Sequence, residues 1–119
     1  VLCEGHFDLI RLYQEGIRYA AAVQGTALTP EQLYLIRRYT EEIVICFDGD
    51  TAGVKAAMAK LDMFLQEGFH IRVVNLPKEH DPDSFIKVKG IAAMARLITD
   101  AKDILEVKFS RLCEEYAPL

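Results

Sequence analysis

The 119 residues carry 51% hydrophobic and 27% charged side chains and a net charge of −4, a composition that excludes a disordered, collagen-like or coiled-coil chain. One domain is expected at this length, with a core large enough to fold without staples. No apolar run approaches the roughly 20 residues needed to span a bilayer, and fourteen Lys plus Arg, scattered among eighteen Asp plus Glu, do not make the basic surface of a domain that binds nucleic acid alone. The opening VLCEGHFDLI has neither an initiator Met nor a leader pattern and is read as the start of an excised domain. Cys3, Cys46 and Cys113 form no C-x-x-C pair and lie in apolar stretches, so buried free thiols are expected rather than disulfides or zinc ligands.

In chain order, VLCEG reads as the tail of a buried strand, and FDLIRLYQEG as a short helix with Leu9, Ile10, Leu12 and Tyr13 apolar and Gly16 as its stop. A short strand follows from Tyr19 to Val23. Thr29-Pro30-Glu31-Gln32 starts the second helix: Thr29 caps, Pro30 takes the first helical position and Gln32 completes a capping box. Ile43 to Phe47 is an unbroken apolar run, as in a parallel strand covered on both faces. From Thr51 to Glu67, Val54, Ala57, Met58, Leu61, Phe64 and Leu65 recur at helical spacing until Gly68. Ile71 to Leu76 is the last predicted strand. Asp81-Pro82-Asp83-Ser84 opens a helix to Lys89, closed by Gly90, and two more helices follow, the last carrying Ile104, Leu105, Lys108, Phe109 and Leu112. This alternation predicts a Rossmann-like three-layer α/β/α domain with a mostly parallel four-stranded sheet plus C-terminal helices, strands one and three being neighbours.

Ligands of such folds bind outside the carboxyl ends of the strands, which makes the positions of the acids informative. Glu4 ends strand one, Asp8 lies in the first turn of its helix, Asp48 and Asp50 end strand three, and Asp81 and Asp83 follow strand four. Singly, Asp8, Asp81 and Asp83 read equally well as caps or first-turn residues favoured by the helix dipole. As a set they repel, by roughly 4 kcal/mol for two carboxylates about 4 Å apart at an effective dielectric of 20, and a divalent cation relieves that repulsion. Oxygen-only ligands point to Mg²⁺ or Mn²⁺ rather than zinc, with open positions suited to phosphate. Neutralising these six carboxylates in a chain of net charge −4 would leave it at +2, so a polyanion becomes tolerable once metal is bound.

The order EGHFD, GTALT, FDGDTAGVKAA, DPDSF resembles the TOPRIM domain of bacterial DnaG-type DNA primases, from Val1 to about Gly90. EG-x-x-D with D-x-D marks the wider TOPRIM group, and the other boxes are primase-like. The resemblance implies a TOPRIM metal-binding catalytic domain over residues 1–90 and, over 91–119, a helical extension of a primase core. By the same resemblance Glu4 is the group's invariant glutamate and Asp8 the acid of its motif. Asp48 and Asp50 are the paired aspartates, and Asp81 and Asp83 the third acidic pair. The implied activity is Mg²⁺-dependent nucleotidyl transfer that makes short RNA primers on single-stranded DNA from ribonucleoside triphosphates, in the bacterial cytoplasm and with no membrane role. Zinc would belong to a separate N-terminal domain, and the replicative helicase would be met through a further domain. Glu4, Asp48 and Asp50 are expected closest to metal, with Glu4 a candidate general base and Asp81 and Asp83 in a second site or outer shell. Gly5, Gly25, Thr26, Gly49 and Lys55 border the crevice as nucleotide-binding candidates, although a turn role for Gly25 and plain solvation of Lys55 weigh at least as much. The fragment alone is expected to bind metal and make little primer.

Two other readings use the same residues. A TOPRIM nuclease or topoisomerase would cleave phosphodiesters with these acids, whereas a recombination mediator or a receiver-like domain would be non-catalytic. His70, His80, Arg37 and Arg38 are expected to be surface residues, and the scattered Tyr13, Tyr19, Tyr34, Tyr39 and Tyr116 offer neither a stacking platform nor a topoisomerase nucleophile.

Overall fold

The computed structural model describes residues 1–23, 29–47, 55 and 58–116. Among the described residues five strands form one sheet: β1 (Leu2–Cys3), β2 (Ala21–Ala22), β3 (Glu42–Ile45), β4 (His70–Val73) and β5 (Lys102–Asp103), in the order β2-β1-β3-β4-β5. The first four run parallel, with strands one and three adjacent as expected; β5 pairs antiparallel with β4 through Arg72↔Asp103 and Val73↔Lys102. This fifth strand departs from the expected four. Two charged residues carry no alternating pattern, so only hydrogen bonding to β4 makes them a strand.

The described helices are α1 (His6–Gln14), α2 (Pro30–Arg37), α3 (Leu61–Gln66), α4 (Pro82–Lys89), α5 (Ile91–Thr99) and α6 (Ile104–Tyr116). The capping box before α2 forms as read: the Gln32 amide donates to Thr29 Oγ1 at 3.2 Å and the Thr29 amide to Gln32 Oε1 at 3.0 Å. Lys55, Met58 and Ala59 are also helical, and Lys60, at φ −101° and ψ 4°, separates them from α3. Gly68 then turns the chain at φ 80°, a left-handed conformation glycine adopts without Cβ strain.

Alternation along the strands divides the core between the two faces. Leu2, Ile43, Ile45, Ile71 and Val73 meet Leu33, Leu61, Phe64 and Ile104 on one side. Cys3, Val44, Cys46 and Val74 meet Leu12, Phe85, Ile86, Met94 and Ile98 on the other. The three layers are therefore α2, α3 and the start of α6; the sheet; and α1, α4 and α5. Cys3 and Cys46 are buried free thiols as expected, but Cys113 is exposed, because beyond Ile104 helix α6 leaves the core. Leu105, Phe109, Leu112 and Tyr116 on that helix are exposed too. No described helix is long and apolar enough to cross a membrane.

His70 lies at the sheet edge, 2.7 Å from Asp103 Oδ2, and His80 bonds Ser84 Oγ at 2.9 Å and meets Phe85 edge-on. Arg37 departs from a merely solvated role: its Nε donates to the Glu67 carbonyl at 3.2 Å, because the C-terminal ends of α2 and α3 meet. Asp103 accepts from the Leu105 amide at 2.8 Å, and that bond, ahead of the contact with His70, holds its carboxyl below the usual carboxylate range. Asp103→Ala should cost about 1 kcal/mol at neutral pH, the usual worth of a helix N-terminal acceptor. A depressed carboxyl stabilises above the unfolded-state value near 4 and loses that contribution as pH falls through its folded value. Urea denaturation should therefore separate variant and wild type at about pH 7 and bring them together at about pH 2.

Candidate active site

Parallel pairing of β1 and β3 sends the chain past both carboxyl ends toward the same edge of the sheet, and Glu4 follows Cys3 there, half-buried. Gly5 precedes α1 at φ −118° and ψ 160°, extended backbone open to any residue. A Cβ there would lie 3.4 Å from Asp8 Oδ2, an ordinary van der Waals contact. Asp8, in the first turn of α1, is 6% exposed and is the single buried charged residue among those described. Burial pushes its carboxyl up, with Asp81 and Asp83 adding to the effect, while the backbone amides of Asp83 and Gly5 work against it.

The start of α4 explains that environment. The first turn of a helix leaves amides without intrahelical acceptors, and here each has an assigned solution. Pro82 has no N–H to satisfy, the Asp83 amide donates to Asp8 Oδ1 at 3.1 Å, and the Ser84 amide donates to Asp81 Oδ1 at 2.7 Å. Ser84 Oγ in turn accepts from the Asp81 amide at 3.1 Å, closing a capping box. Asp8 thus serves as an acceptor supplied to α4 by a different helix. The Asp83 carboxylate is engaged as well: Arg11 Nε donates to its Oδ1 at 2.8 Å and Lys87 Nζ lies 3.5 Å from its Oδ2. The Arg11 guanidinium, ahead of Lys87, holds the Asp83 carboxyl below its ordinary range.

Asp8, Asp81 and Asp83 are therefore brought together, as their order in the chain suggested; Arg11 and Lys87 offset the charge of Asp83, whereas Asp8 still feels the repulsion of Asp81 and Asp83. Among the described residues, no group of three or more His, Cys, Asp or Glu is placed to hold a metal. Asp48, Asp50, Gly25, Thr26 and Gly49 lie outside the described residues. Lys55 is helical and exposed, as is common for a solvated lysine. The five tyrosines are exposed on separate segments. Sequence reasoning overlooked Arg11, because its partner Asp83 lies 72 residues away and no local spacing announces the pair.

The Toprim-like family model matches residues 1–86, and the chain belongs to that family. Its relatives are DNA primases: that of Aquifex aeolicus is 42% identical over 106 residues, covering 89% of this chain and 21% of the relative. A solved primase domain from Pseudomonas aeruginosa superposes with a TM-score of 0.87 at 38% identity, over 99% of this chain and 38% of that one. A primase catalytic domain bound to single-stranded DNA gives 0.84 at 33% identity, over 97% and 38%. These matches bear out the resemblance read from the motifs and the α/β TOPRIM architecture. The chain spans about a fifth of the length of the curated relatives it matches.

Proposed function

We propose that this chain is the TOPRIM portion of a DNA primase and that its acidic edge supports Mg²⁺-dependent nucleotidyl transfer, extending a short RNA on a single-stranded DNA template. The observation that carries this reading is the buried Asp8 carboxylate, locked to α4 by one oxygen, at the end of the sheet where Glu4 follows β1. The donors fit a hard cation: they are oxygen only, and a buried carboxylate gains from a positive charge placed against it. Glu4 and Asp8, with Asp48 and Asp50 from the segment after β3, would hold Mg²⁺, for which Mn²⁺ can substitute. Bound there, the ion would lower the pKa of an attacking 3′-hydroxyl and neutralise phosphate oxygens as pyrophosphate leaves.

The protein's own contribution is rigidity. β1 fixes the backbone of Glu4, α1 fixes Asp8, and α4 prevents Asp8 from turning away. Glu4 is the candidate to take the hydroxyl proton, and Gly5, Gly25, Thr26, Gly49 and Lys55 are the candidates to contact the nucleotide. Template, ribonucleoside triphosphates and the replicative helicase are the partners of this reading. The acidic net charge fits a module whose template grip and helicase contact lie elsewhere in a longer protein, as does any zinc. The primase structure bound to single-stranded DNA supports the choice of template.

The test is to incubate the full-length protein with single-stranded DNA, labelled ribonucleotides and Mg²⁺. Short template-dependent RNA is the expected product. Cleavage of labelled DNA without synthesis would instead identify a nuclease or topoisomerase, and neither activity would identify a non-catalytic mediator.

A further inference from the structure

We propose that Arg11 is a fixed counter-ion of the acidic edge: it neutralises Asp83 and keeps that carboxylate as a tie between helices α1 and α4, outside the set that holds the metal. The inference rests on the metal reading of Glu4 and Asp8 and sharpens it by dividing the acids into two jobs. Both Asp83 oxygens already face cations, Arg11 Nε at 2.8 Å and Lys87 Nζ at 3.5 Å. The Arg11 and Asp83 side chains are 29% and 24% exposed, so the pair is less screened than an ordinary surface pair, and an Arg–carboxylate hydrogen bond is among the strong ones. The second anion near Arg11, Glu15, is farther away at 3.9 Å. Asp81 is committed to Ser84 and Asp8 Oδ1 to the Asp83 amide. Arg11 holds the Asp83 carboxylate, and separately the Asp83 backbone amide holds Asp8 Oδ1. Arg11 acts on the metal set by its charge, through its pairing with Asp83, and touches no reacting atom.

Mn²⁺ affinity of the full-length protein, read by electron paramagnetic resonance as the binding that Glu4→Ala removes, tests the assignment. Arg11→Ala deletes a positive charge and releases a carboxylate, so Mn²⁺ should bind roughly 3–10-fold tighter. Asp83→Asn leaves Arg11 uncompensated and should weaken binding by a similar factor. The double variant Arg11→Ala/Asp83→Asn removes the pair as a neutral unit and should return to within about 2-fold of wild type. Arg11→Lys keeps the charge and should stay near wild type in Mn²⁺ affinity even if its melting temperature drops, a separation that a packing role alone would not produce.

A double variant that binds at least about 10-fold more weakly than wild type would make Asp83 a metal ligand and overturn the proposal. Unchanged affinity in folded Arg11→Ala would overturn it by showing that the guanidinium is irrelevant to the metal. Absence of any Glu4-dependent Mn²⁺ binding in wild type would instead defeat the functional reading and this inference with it.

Discussion

Glu4→Ala should lower primer synthesis by the full-length protein by roughly 10²–10³-fold, the range found when one preorganised electrostatic group is removed from an active site, while leaving thermal stability nearly unchanged. The expectation follows from position. Glu4 lies just past the last β1 residue, half-buried at the sheet edge and outside both apolar clusters, so its loss opens no cavity. The charge is what counts: Glu4→Gln preserves side-chain volume and should lose activity almost as severely. Steady-state rates set beside melting curves check the split. Glu4→Gln with near-normal synthesis would remove Glu4 from the metal set and from the general-base role.

Phe64→Ala should show the opposite profile. Phe64 is 2% exposed on α3 and shares a cluster with Leu33, Ile43, Ile45, Leu61 and Ile71, where it helps cover the face of β3 and β4 opposite α1 and α4. Truncating a core phenylalanine costs about 3–5 kcal/mol through lost transfer energy and the cavity left behind, a large share of the roughly 5–15 kcal/mol that holds a domain folded. The urea midpoint should fall sharply, with synthesis failing because the domain unfolds. Phe109→Ala is the matched control: Phe109 is 68% exposed, so its truncation should stay within about 0.5 kcal/mol. A midpoint shift for Phe64→Ala no larger than the control's would mean that the core does not depend on α3.

What the sequence determined by itself was the local chemistry. Thr29-Pro30-Glu31-Gln32 specifies a helix start because its cap, its proline and its returning glutamine act within one turn. The apolar run from Ile43 specifies a strand covered on both faces, and Asp81-Pro82-Asp83-Ser84 specifies the start of α4 together with the residues that cap it. The acids at the ends of successive elements were legible as one edge because parallel strands carry their carboxyl ends to the same side. The tertiary structure decided the interactions between distant segments. β5 exists only because β4 offers an open edge to Lys102 and Asp103, and Cys113 and the apolar residues of α6 are exposed because that helix leaves the core after Ile104. Arg37 found the Glu67 carbonyl just past α3, which no local pattern could announce. The acids themselves gained partners from packing: Asp83 meets an arginine 72 residues away in the chain, and Asp8 Oδ1 meets an amide of another helix. Charge balance depends on distance in space, and only packing α1 against α4 set that distance.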